Sequence, residues 1–455
     1  MSALMPREIA SATYAFGRNL SYASLPAEVR CQAARCLVDL LGVAAAGSGT
    51  VMARIARSVA LSQFGALPGQ GARTFFSGGT VSAAGAAMAN AAALDSYDAH
   101  DGHALTKGHV GATVLPAILA AVDCMGVPVS GEEFITTLVM GYEMGLRSGI
   151  ALHATASDYH SSGAWAAIGA AAVMARRLGL SELQWREALG IAEYHGPRGP
   201  MMRCIDFPSM VKDGATWGAM TGVTAALMAQ QGFTGAPAEL LEVEPIDGLW
   251  SDLGTRWRML DQYFKPYPVC RWAQPAIQAA LALRAEPGFD ATLIDHVEVL
   301  SFAEACRLGA SPPKNTEQAQ YNLGYPLACA LVLGRVGALE ISEQAWRDPV
   351  LLDVMAKTQL REDAEYSRRF PAERCATVKV RLRSGHTMSY TSQTTLGDPS
   401  HPLDDVAIKA KAIDSIGTRC TGPQASRIFE QAWYVAAQPD VRPFLNLFMD
   451  VPAAA

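Results

Sequence analysis

Residues 25–46 read LPAEVRCQAARCLVDLLGVAAA, and their spacing decides the fold class. Apolar side chains recur three and four apart at Val29, Ala33, Cys36, Leu37, Leu40, Leu41 and Ala44, with Glu28, Arg30, Arg35 and Asp39 between them. An α-helix turns every 3.6 residues, so this pattern sets one apolar stripe against a charged face. The same spacing, punctuated by Gly and Pro, continues from residue 6 to about residue 230. Ala-rich stretches at 81–94, 164–177 and 222–230 carry side chains small enough for helix axes to approach closely. The first half is therefore predicted to be an all-α bundle.

After Lys265 the period changes from 3.6 to 2. His296-Val297-Glu298-Val299-Leu300-Ser301-Phe302 alternates, and so does Val378-Lys379-Val380-Arg381-Leu382, which meets a Ser384-Gly385 turn before residues 387–391 return. Helical spacing resumes near Pro402, over 403–416 and 425–437. The predicted fold is mainly α with a smaller α+β domain. A large helical domain is built from both chain ends, residues 1–264 and 396–455, with an α+β domain, 265–395, inserted between them.

Composition narrows the partners. The 455 residues exceed one small domain, and 50% are hydrophobic against 18% charged, so a sizeable core is affordable. A net charge of −6 gives no general attraction for nucleic acid or anionic lipid, so neither is an expected partner. Nine cysteines without a CxxC pair argue against a disulfide framework and a zinc knuckle, and place the chain in a reducing cytoplasm. The first eleven residues lack a basic stretch followed by an apolar one, and the longest apolar run, 110–129, is interrupted by Pro116 and Asp123. A soluble protein is expected.

Ionisable residues crowd one short stretch. Asp98-Ala99-His100-Asp101-Gly102-His103 is followed by Lys107-Gly108-His109, so three of nine histidines fall within ten residues at a helix-to-helix corner. Such a cluster can transfer protons; it can also be a solvated, capped loop. A metal site on Asp98, His100, Asp101 and His103 is a third reading. His160 precedes an Ala/Gly-rich helix, whose dipole disfavours the imidazolium and suits a neutral base, whereas His153 reads as structural. Lys212 and Lys265 lie among apolar, aromatic or backbone-restricted neighbours, which fits cations held in a pocket to meet a carboxylate; snorkelling surface lysines are the plain alternative. Tyr325, at the start of an apolar helix, is placed either to donate to a substrate oxygen or simply to pack. No phosphate loop or GxSxG stands in a strand-to-helix context.

The order of segments adds a resemblance. Residues 90–116 (NAAALDSYDAHDGHALTKGHVGATVLP), 159–172, 210–235 (MVKDGATWGAMTGVTAALMAQQGFTG), the Lys-Pro-Tyr-Pro element within 264–271, the tyrosine segment 320–328 and 397–403 (GDPSHPL) resemble, in sequence order, the segments of the MmgE/PrpD family. The resemblance implies that Asp98, His109, His160, Lys212, Lys265 and Tyr325 line an active site and that the protein is a homodimer; His100, His103, Cys270 and Arg271 are the expected substrate-binding residues. It implies no metal or organic cofactor. Departures fall at His100, which replaces an acid, at one extra residue between Asp98 and His109, at Val110-Gly111 and at Cys270.

Family activities include 2-methylcitrate dehydration, cis-aconitate decarboxylation and iminodisuccinate epimerisation. Each moves a proton at a carbon α to a carboxylate, so the developing enediolate needs positive charge aimed at its oxygens. The expectation is a cofactor-independent lyase, of dehydratase or decarboxylase type, for a small di- or tricarboxylic acid. The alternatives are an epimerase of an iminodisuccinate-like dicarboxylate and a metal-dependent hydrolase using the four clustered ligands named above.

Overall fold

The computed structural model describes residues 6–243 and 248–450. Residues 1–5, part of the stretch read above for a leader, lie outside the described residues. The helix Ala27–Ser48 buries Val29, Ala33, Cys36, Leu37, Leu40, Leu41 and Ala44, as the spacing predicts. Asp39 departs from its predicted charged face: it is 1% exposed. The cause lies far away in sequence. The helix Asp405–Gly417 packs over that face, and Lys411 Nζ meets Asp39 Oδ1 at 2.6 Å. The C-terminal helices thus return onto the N-terminal ones.

Behind this pair the helices Ala83–Asp95, Gly111–Met125, Gly131–Thr155, Gly163–Leu178 and Ala215–Gln230 form the interior of the bundle. Small residues set its density. A Cβ on Gly222 would stand 2.5 Å from Ala167 O, so these two helices touch backbone to backbone where only glycine fits. Pro116 sits inside its helix, fully buried, without ending it.

The four-stranded sheet runs in the order Thr358–Glu362, Ile294–Ser301, Ala376–Leu382, Thr387–Ser392. Val297 pairs with Val380 and Val299 with Val378, and this shared face is buried while Glu298 and Lys379 pair on the other. The strand Thr358–Glu362, parallel to its neighbour, is the element that sequence alternation does not announce, because TQLRE is an edge strand with little apolar content. Among the described residues no single helix is long and apolar enough to cross a membrane, although the bent pair Ala27–Ser48 and Val51–Gln63 passes on length and composition when joined. All nine cysteines are free.

Candidate active site

A cavity of about 380 Å³ opens between the bundle and the sheet-bearing part. The bundle contributes Asp98, His103, Lys107, His109 and Asp213 to its wall, and the other side contributes Tyr263, Lys265, Arg271, Tyr321 and Arg374. Backbone pairing brings the two sides together. Gly102–His103 forms a short antiparallel ladder with Gln262–Tyr263, which carries Lys265 to Asp98. Gly102 must lack a side chain, because a Cβ there would meet the Tyr263 ring at 2.5 Å and His109 Nδ1 at 2.8 Å. Behind Lys265, Phe264 N donates to Gly397 O at 3.0 Å, and Gly397 adopts φ +91° in the left-handed region.

Lys265 and Asp98 form a close ion pair, both nearly inaccessible to solvent. Burial pushes the Asp98 carboxyl up, but the Lys265 and Lys212 ammonium groups outweigh it and hold Asp98 well below the usual carboxylate range. Lys212 is 2% exposed, in the left-handed backbone region at φ +45°, and its Nζ lies 4.6 Å from the Tyr321 ring centroid. One amide links these cations to the loop. Gln320 Oε1 accepts from Lys212 Nζ at 2.8 Å and from Asp98 N at 2.9 Å, while its Nε2 donates to Ser96 O.

His109 has a defined tautomer. Its Nδ1 lies 2.7 Å from Asp101 O, an atom that can only accept, so Nδ1 carries the hydrogen and Nε2 presents a lone pair. Burial, then His100 and Lys265, lower its pKa well below the usual histidine value, so the ring is neutral. Nε2 stands 3.8 Å from Asp213 Oδ2 and 4.0 Å from Asp98 Oδ1. Asp213 also accepts from Ser162 Oγ at 2.8 Å, and that same hydroxyl accepts from His109 N. Burial, then nearby Asp95, raise the Asp213 carboxyl to about 7, so near neutral pH it can gain or lose a proton beside a neutral imidazole. Asp95, itself raised by burial, accepts from Asp213 N and Ala215 N at the start of the helix Ala215–Gln230.

Six of the predicted residues reach the cavity wall: Asp98, His103, His109, Lys265, Cys270 and Arg271. Lys212 joins the same charge cluster through Gln320 and Tyr321. His100 is a layer back, its ring centroid 4.1 Å from that of His109, and burial lowers it to about 3. His160 is off the wall and partly exposed. The chain bridges to Pro200 there, and Tyr159 lines the cavity while His160 does not. Tyr325 is also elsewhere: its hydroxyl donates to Glu340 O inside the core, and Tyr321, four residues earlier, is the tyrosine of that segment that reaches the wall. Sequence reasoning missed Tyr321, Asp213, Asp95, Gln320 and Arg374.

The four-residue metal set predicted from spacing does not converge. Asp101 Oδ2 accepts from Tyr142 and Gln262, and His103 Nδ1 accepts from Leu105 N. Among the described residues the group that could gather around an ion is Asp98, His100 and His109, with ligand atoms within 4.8 Å of one another. The Asp98 oxygen in that group is already held by the Lys265 ammonium, whose charge opposes a second cation.

Residues 12–250 match the family model described as MmgE/PrpD N-terminal domain, and residues 267–434 match the MmgE/PrpD C-terminal domain. The cis-aconitate decarboxylase of Aspergillus terreus is 24% identical over 94% of this chain and 93% of its own length. The human cis-aconitate decarboxylase is 26% identical over 72% and 71%. A cis-aconitate decarboxylase-like protein of Aspergillus oryzae, oryM, is 30% identical, but over only 33% of this chain and 32% of its own length.

Proposed function

Because the chain belongs to the MmgE/PrpD family, we propose that it is a lyase, of decarboxylase or dehydratase type, for a small di- or tricarboxylic acid. The supporting observation is the His109 Nε2 lone pair facing the same cavity as Lys265. Proton transfer at a carbon α to a carboxylate builds negative charge on that carboxylate, and the buried Lys265 ammonium is positioned to stabilise it. In decarboxylation Asp213 passes its proton to Nε2 and His109 delivers it to the carbanion, whereas in dehydration Nε2 takes the α proton directly. Both steps use side chains alone. The working unit is taken to be a homodimer, which the mass in solution checks.

Proton NMR in deuterated water tests the reading with cis-aconitate, 2-methylcitrate and iminodisuccinate. Loss of carbon dioxide with deuterium at the adjacent carbon, or loss of water together with the α proton, supports it. Exchange of the α proton without either loss points to the epimerase instead. If none of the three acids is consumed or exchanged, the reading fails.

The pH profile has a defined sign. Asp213 must carry its proton to act, and its raised pKa keeps that proton in the neutral range. Activity is therefore expected to fall as pH rises through the Asp213 pKa, whereas His109, already neutral, sets no limit near its ordinary value. Asp213→Asn is expected to lower turnover and remove this alkaline limb. An unchanged limb in the variant contradicts the assignment.

A further inference from the structure

Beyond its reacting end, the cavity wall carries a second group of donors. Arg271 is 5% exposed, and only its Nη2 has a partner, Asp398; Nε and Nη1 are buried with none. Its guanidinium lies 4.0 Å from the Tyr263 ring centroid, and that ring stands edge-on to His109 at 6.2 Å. Arg271 is therefore one tyrosine ring away from the proposed base. Arg374 lines the same cavity, makes no ion pair among the described residues, and also leaves a buried Nε unpartnered.

Buried N–H groups without acceptors are costly, and a guanidinium that cannot lose its charge cannot relieve that cost by deprotonating. Two neighbouring guanidiniums also repel each other until an anion lies between them; Arg374 is among the groups that disfavour the charged form of Arg271, after burial. A carboxylate is the group whose planar pair of oxygens matches such donors.

We infer that Arg271 and Arg374 form a subsite for a second, non-reacting carboxylate, so that the substrate is an acid with one carboxylate near Lys265 and His109 and another one tyrosine ring away. This rests on the lyase reading and adds to it the residues that select for a distal carboxylate. Arg374 is the specificity-determining residue of the pair, because Arg271 is already neutralised by Asp398.

Non-reacting acids isolate binding from chemistry. Tricarballylate, glutarate and butyrate are titrated by calorimetry into the wild-type chain, Arg374→Gln and Arg374→Lys, with circular dichroism and melting curves to verify folding. Arg374 is partly exposed and outside the core, so folding is expected to survive. In the wild-type chain tricarballylate and glutarate are expected to bind at least tenfold more tightly than butyrate. Arg374→Gln is expected to remove most of that preference while leaving butyrate unchanged, and Arg374→Lys to restore part of it. An undiminished preference in Arg374→Gln overturns the subsite and leaves the lyase reading standing. Failure of all three acids to bind the wild-type chain overturns the carboxylate-binding reading of the cavity itself.

Discussion

His109→Ala is expected to lower turnover by about 10²–10⁴ while the protein stays folded, the usual range for removal of a positioned acid or base. The expectation follows from the tautomer: a ring whose Nδ1 hydrogen is fixed on Asp101 O has one chemical option left, the lone pair on Nε2. Alanine removes that lone pair, and the substrate-binding cations remain. The loss should therefore appear in kcat, with KM changed little. His109→Gln supplies a control, because its amide can fill much of the space without accepting a proton at neutral pH. Deuterium incorporation should fall in parallel with turnover in both variants. Full turnover in His109→Ala would remove His109 from the mechanism and leave Asp213 or Asp98 as the proton-transferring group.

How much of this was readable beforehand depends on how local each cause is. The helix Ala27–Ser48 follows from its own spacing, and so does Ile294–Ser301 from its alternation. The edge strand Thr358–Glu362 does not, because its pairing with Ile294–Ser301 comes from a neighbour sixty residues away in sequence. The site divides in the same way. Asp98, His109 and Lys265 are unusual residues in unusual surroundings, and these three reach the wall. His160 met the same local criteria, but at the bridge to Pro200 it is Tyr159, and not His160, that lines the cavity.

The tyrosine assignment went astray for a related reason. Tyr321 and Tyr325 share one short segment, and only the turn at Asn322, whose Oδ1 accepts from Tyr325 N, decides that the first faces the cavity and the second the core. Gln320 carried no signal at all, since an uncharged amide becomes a hub only once Asp98 and Lys212 are both beside it. Asp95 and Asp213 did leave a trace: one is an acid ending an Ala-rich helix, and the other directly follows a singled-out lysine. Their raised pKa values come first from burial, and for Asp213 also from Asp95 more than a hundred residues away, and spacing along the chain expresses neither.

Lys265→Met is expected to combine a large loss of activity with a stability defect whose pH dependence identifies its origin. Removing one partner of a buried ion pair leaves the other charge desolvated, and such losses run to about 3–5 kcal/mol. In the wild-type protein Asp98 has a depressed pKa, so the stability it contributes is present above the unfolded-state carboxylate value and is lost as pH falls through the folded-state value. Without Lys265 the largest charge opposing burial is gone, so the Asp98 pKa rises from its depressed value, with Lys212 still lowering it. The defect relative to the wild type is therefore full above the variant's Asp98 pKa and shrinks as pH falls through it. Melting curves of the two proteins should therefore draw together on acidification through the carboxylate range. A defect independent of pH would show that Asp98 is not the stranded charge. The double variant Lys265→Met/Asp98→Asn separates structure from chemistry, because a neutral pair is far cheaper to bury and should recover most of the stability. It should not recover activity, since the cation opposite the developing enediolate is still missing; electrostatic stabilisers of that kind are worth about 10²–10³ in rate. Recovery of turnover in the double variant would make Lys265 a structural counter-ion and nothing more.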